Sequence, residues 1–145
     1  MTTEPPLASS NRRLTALATA VALVRIGAGI ALGGAPRPFL RLEEPIPPGS
    51  SMTLLMRTVG IRDLAIGIGT LLTVRSGTTA DLERWIGAGL VSDALDVAAG
   101  LASTRTMGAR GVLSAAVAAP MVVLDCVALA ELSRVRQNGA SVPYG

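Results

Sequence analysis

The sequence predicts an all-α integral membrane protein: a four-helix bundle of antiparallel up-down topology with a Pro-rich first loop. Three observations predict it. Half of the 145 residues are hydrophobic and the mean hydropathy is +0.52, too apolar for a soluble domain of this size. Four apolar stretches each come close to the ~20 residues a helix needs to cross a bilayer core. Glycine is abundant at 16 residues while Trp85, Tyr144 and Phe39 are the whole aromatic complement. Large aromatic anchors are therefore scarce, and small residues suited to close helix approach replace them.

The elements follow in order. Residues 1–13 are polar, carry Pro5-Pro6, and are expected to form a flexible N-terminal tail. The first span runs from Leu14 to Gly33. Arg12-Arg13 precede it as they would a leader peptide, but its length, the internal Arg25 and three later spans argue for a retained helix. Residues 35–53 hold Pro36, Pro38, Pro45, Pro47 and Pro48, which stop a helix. Within them Phe39-Leu40-Arg41-Leu42 reads as a short amphipathic piece for the lipid interface. The second span is Leu54–Val74, the third Trp85–Ala102 with Trp85 as an interfacial anchor, and the fourth Gly111–Leu132. Short connections make spans two, three and four antiparallel neighbours. Pro120 falls inside the fourth and is expected to kink it. The transmembrane domain thus covers residues 14–132 and a polar C-terminal tail residues 133–145.

Charge sets the orientation and excludes several functions. All 13 basic residues are Arg, against 10 acidic ones, and there is no His. Arg12, Arg13, Arg75, Arg84, Arg134 and Arg136 fall on one side of the membrane and Arg37, Arg41, Arg105 and Arg110 on the other. Six against four places both termini in the cytoplasm and the protein in the cell membrane as a multi-pass chain. The arginines are scattered singly without interleaved aromatics, so no nucleic acid is expected as partner. A single Cys126 excludes an internal disulfide and a Cys-based zinc site. The Gly pairs at 27/29, 67/69 and 87/89 lie within helices and read as packing positions, not dinucleotide fingerprints.

Seven ionisable residues lie inside the apolar spans: Arg25, Arg57, Arg62, Asp63, Asp93, Asp96 and Asp125. Each mid-helix Arg or Asp costs about 2.5 to 3.5 kcal/mol to insert, so they are expected to face one another. At ~1.5 Å per residue six of them share one slab of the membrane. Arg57, one turn inside its helix, is expected to snorkel to the interface. Asp93 and Asp96, three apart, read as one acidic face flanked by Gly89 and Gly100. Gly60 and Gly67 share a side of the second helix, and Arg25 and Gly29 a side of the first. Four carboxylates against three guanidiniums leave one carboxylate over. A desolvated carboxylate without a cation favours its neutral form, which sets an acid beside a base.

The runs Arg25-Ile26-Gly27-Ala28-Gly29, Gly60-Ile61-Arg62-Asp63 and Ser92-Asp93-Ala94-Leu95-Asp96 resemble a domain-of-unknown-function family of small four-helix membrane proteins frequent in actinobacteria. The resemblance covers about residues 14–132. It implies a polytopic membrane protein and supplies no activity. By chemical analogy alone, an Asp–Arg–Asp set is similar to the catalytic group of limonene-epoxide-hydrolase-like enzymes, which are soluble and differently folded. Asp93-Ala-Leu-Asp96 also resembles the Mg²⁺-holding pairs of membrane prenyl- and phosphotransferases, but the further Asp motifs of those families are missing, so neither a metal nor another cofactor is expected.

The expected function is a cofactor-independent acid–base enzyme acting on a lipophilic small molecule drawn from the bilayer, by epoxide hydrolysis, cyclisation or isomerisation. Asp93 and Asp96 are the candidate base and acid, Arg62 or Arg25 orients them, and Asp63 and Asp125 support them. The competing expectations are a small proton-coupled transporter and a non-enzymatic assembly subunit whose charges only specify the fold. Four short helices enclose little volume, so the transporter calls for a homodimer.

Overall fold

A computed structural model describes residues 12–36, 38 and 50–140, and these form five helices: α1 (Arg12–Gly34), α2 (Ser50–Ser76), α3 (Thr79–Ala102), α4 (Thr104–Met107) and α5 (Ala109–Ala140). The sequence counted four. The addition is α4, a single turn within the third connection, closed by Gly108 at φ 60°, where its amide donates to the Thr104 carbonyl at 2.9 Å. A left-handed residue without a Cβ ends a helix cheaply, so α4 and α5 separate there. The Phe39–Leu42 interfacial piece and most of the Pro-rich loop lie outside the described residues.

Three helices, α1, α3 and residues Gly111–Gln137 of α5, are long and apolar enough to cross a membrane. In α2, Arg57, Arg62, Asp63 and Arg75 are spaced so that every 18-residue stretch holds three charges, which keeps it outside that group. The surface is what a bilayer requires. Leu23, Ile30, Leu54, Ile61, Leu95 and Val117 are more than half exposed, while Arg25, Asp93, Asp125, Thr70 and Thr73 are buried. The protein is a multi-pass helical membrane bundle, with charge inside and hydrocarbon outside.

Local signals explain the helix ends. Thr78 caps α3, its hydroxyl accepting from the Asp81 amide at 3.2 Å while the Asp81 carboxylate accepts from the Thr78 amide at 3.3 Å. This reciprocal box follows directly on Gly77, whose amide donates to the Thr73 carbonyl at 2.8 Å, so α2 and α3 join through two residues. The buried hydroxyls of Thr70 and Thr73 donate to the carbonyls of Ile66 and Gly69, both at 2.8 Å, which satisfies them inside their own helix. The last helix does not stop at Leu132 but continues to Ala140, through residues expected as tail. Hydropathy marks where a lipid-compatible surface ends, not where helical hydrogen bonding ends.

Two glycine-lined contacts organise the packing. Added methyl groups at Gly29 and Gly60 would lie 2.6 Å from the Leu64 amide and 2.5 Å from the Gly33 amide, and one at Gly67 2.9 Å from the Ala22 carbonyl. Backbone therefore meets backbone between α1 and α2. Gly100 and Gly111 do the same for α3 and α5, each 3 Å or less from the other's carbonyl by this measure. Small residues permit such approach, and α1 with α2 and α3 with α5 are the most extensively packed pairs. At one end the four long helices share an apolar cluster: Leu14 and Ala18 of α1, Val74 of α2, Leu82 and Ile86 of α3, Ala128 and Leu132 of α5.

Candidate functional site

Beneath that cluster lies a continuous chain of ion pairs drawn from all four long helices. Arg25 is its centre. Its Nη2 donates to Asp93 Oδ2 at 2.6 Å and to Asp125 Oδ2 at 2.5 Å. Its Nη1 lies 3.6 Å from Asp63 Oδ1, a Coulombic contact rather than a hydrogen bond. Arg62 forms a second centre. Its Nη2 donates to Asp96 Oδ2 at 2.7 Å and to Asp63 Oδ1 at 3.1 Å, with Nη1 to Asp96 Oδ1 and Nε to Asp63 Oδ1 both at 3.3 Å. The result is two Asp–Arg–Asp sets joined through Asp63. The inner one is Asp93–Arg25–Asp125, and the outer one is Asp63–Arg62–Asp96.

All six residues expected at the site are brought together. Arg57, the seventh charge of the spans, is exposed and has no ion pair with a described residue. The expected pairing of Asp93 with Asp96 does not form: the two carboxylates serve different arginines. A three-residue step turns a helix by roughly 300°, so they diverge by about 60°. That is enough to aim Asp93 into the bundle and Asp96 along the contact between α2 and α3.

Exposure grades along the chain of pairs. Asp125 is 0% exposed at its side chain, Arg25 2%, Asp93 6%, Asp63 13%, Arg62 31% and Asp96 37%. The inner set is sealed and the outer set reaches the surface. Glycine explains how the inner set fits. A methyl group at Gly89 would sit 2.5 Å from Arg25 Nη2 and 2.9 Å from Asp125 Oδ2, so this one position on α3 gives the guanidinium and carboxylate their room. The sequence marked Gly89 by its place on the Asp93 face. It did not show that side chains, rather than a backbone, occupy the space.

The electrostatics are unbalanced. Four carboxylates meet two guanidiniums, a formal excess of two negative charges within one network. Two buried atoms, Arg25 Nη1 and Asp125 Oδ1, have no hydrogen-bond partner among the described residues. Arg25 thus spends one nitrogen on two carboxylates, an arrangement that ties three helices together at a single point. Arg62 uses all three nitrogens in a forked geometry, which fixes the relative position of Asp63 and Asp96. No group of three or more Asp, Glu, Cys or His residues suited to a metal ion occurs among the described residues. Comparison with known proteins gives no match to a family model, a curated protein or a solved structure.

Proposed function

We propose that the outer set is an acid–base site acting on a neutral lipophilic molecule, in a four-helix, up-down transmembrane bundle with both termini in the cytoplasm. The observation that carries this reading is the exposure of Asp96 and Arg62, 37% and 31% at their side chains, while the remainder of the network is covered. Arg62 holds two carboxylates at fixed positions, which sets one to act as base and the other, when it carries a proton, as acid. In epoxide opening, the ionised carboxylate takes a proton from water as the water oxygen bonds to an epoxide carbon. The carbon–oxygen bond breaks and the carboxylic acid delivers its proton to the departing oxygen. The sum is addition of one water molecule and one proton passed on between the carboxylates. Cyclisation or isomerisation uses the same acid on oxygen and the same base on a carbon-bound hydrogen. Asp93, Arg25 and Asp125 join α3, which carries Asp96, to α1 and α5.

Proton-coupled transport is the second reading, favoured by the unbroken succession of ion pairs from accessible Asp96 to fully buried Asp125. The apolar cluster at the Leu14–Leu132 end stands against it, because it closes one face of the bundle. The test uses protein in lipid nanodiscs with terpenoid epoxides in ¹⁸O-water. The expected result is ¹⁸O-labelled diol from the parent protein and a loss of about 10²-fold or more in Asp96→Asn, the usual contribution of a general acid or base. Undiminished turnover in Asp96→Asn contradicts the reading. Absent turnover together with substrate-driven proton flux in proteoliposomes replaces it with transport.

A further inference from the structure

The outer set is a charged pair set into an apolar surface. Around it, Thr58, Ala65 and Leu72 of α2 recur at seven-residue steps, and Ala88, Leu95 and Ala99 of α3 at steps of seven and four. All six are exposed. Residues so spaced share one side of a helix, and Arg62 and Asp96 fall on the inner margins of these two stripes. Lipid tails can cover the stripes. They cannot cover a guanidinium and a carboxylate each about one-third exposed, because hydrocarbon offers neither donor nor acceptor. Whatever lies over this surface inside the membrane must offer polar groups to the exposed part of the pair.

We infer that a second copy of this chain docks here, about a two-fold axis along the membrane normal. The pattern of charge on this face selects that occupant. The cation stands on α2 and the anion on α3, and a two-fold axis between the helices sets α2 of one copy against α3 of the other. Each Arg62 then faces the partner's Asp96, and the two pairs close into a ring of four groups. Such a face is self-complementary in the sense an isologous interface requires. Its small residues, Ala65, Ala88 and Ala99, allow close approach. A dimer built this way completes the walls of the outer set, so each site is lined by both copies. The inference rests on the membrane reading and not on the chemistry proposed above.

Cross-linking in bilayers tests it. Leu95→Cys is introduced with Cys126→Ala, and Val117→Cys on the exposed face of α5, 72% exposed, is made in the same background. A short bis-maleimide is expected to capture Leu95→Cys as a covalent dimer several-fold more than Val117→Cys. Single-molecule photobleaching in dilute liposomes is expected to show two steps. Equal or greater capture at Val117→Cys, or single-step bleaching, overturns the proposal. Capture is read without substrate. An intact cross-link with no turnover therefore removes the chemistry and keeps the interface, and turnover by a single-step species does the reverse.

Discussion

The two Asp–Arg–Asp sets have the same composition and opposite surroundings. In the inner set one arginine nitrogen holds two carboxylates at 2.5 and 2.6 Å, sealed from solvent and seated on Gly89. In the outer set three nitrogens hold two carboxylates at 2.7 to 3.3 Å, and the pair with Asp96 is about one-third exposed. Burial decides what each can do. A sealed ion pair cannot meet a reactant, yet it is costly to break, because its remaining partners are stranded without water. A pair about one-third exposed can be reached by a reactant. Within one network of six groups, the inner set therefore ties helices α1, α3 and α5 together, and the outer set is the part a reactant can reach.

The comparison breaks most visibly at Arg25. Arg25→Met leaves Asp93 and Asp125 without a cation and is expected to cost about 3–5 kcal/mol, read as loss of a monodisperse folded species in detergent. Lysine is expected to restore only part of this, since an ammonium cannot reproduce the guanidinium fork. Gly89→Ala forces a methyl group against Arg25 and Asp125 and is expected to lower stability by about 1–3 kcal/mol, seen as an earlier thermal transition. Thr78→Ala, which removes the α3 cap far from both sets, is expected to cost about 1 kcal/mol and to leave turnover per folded molecule unchanged. Asp96→Asn leaves Arg62 paired with Asp63 and is expected to shift stability least, while slowing turnover about 10²-fold or more. A charge-swapped Arg62→Asp, Asp96→Arg protein that folded where Asp96→Asn did not would instead make the outer set structural.

All six residues of the network were legible in the sequence, because helical rise converts residue number into position along each helix. The sequence also carried the glycine contacts: Gly60 and Gly67 on one side of α2 both face α1, and Gly100 faces α5. The partition of the charges was not legible. Whether Asp93 and Asp96 act together depends on a divergence of about 60° around α3 and on where α1 and α2 stand beside it, which only the assembled bundle supplies. The same holds for Asp63, read as a supporting group, which proves to be the junction between both arginines. The extension of α5 past Leu132 and the separate turn α4 escaped for another reason. Helical hydrogen bonds continue through polar residues, so a hydropathy boundary is not a helix boundary.

The most direct test of the division of labour is a paired measurement on Asp125→Asn and Asp96→Asn in nanodiscs, with thermal stability and epoxide turnover read on the same samples. The expected result is opposite signatures. Asp125→Asn lowers stability and loses activity only in proportion to its folded fraction, whereas Asp96→Asn melts like the parent protein and turns over at least about 10²-fold more slowly. A stable but inactive Asp125→Asn, beside an Asp96→Asn that unfolds or keeps its activity, would contradict the assignment of structure to the inner set and chemistry to the outer one.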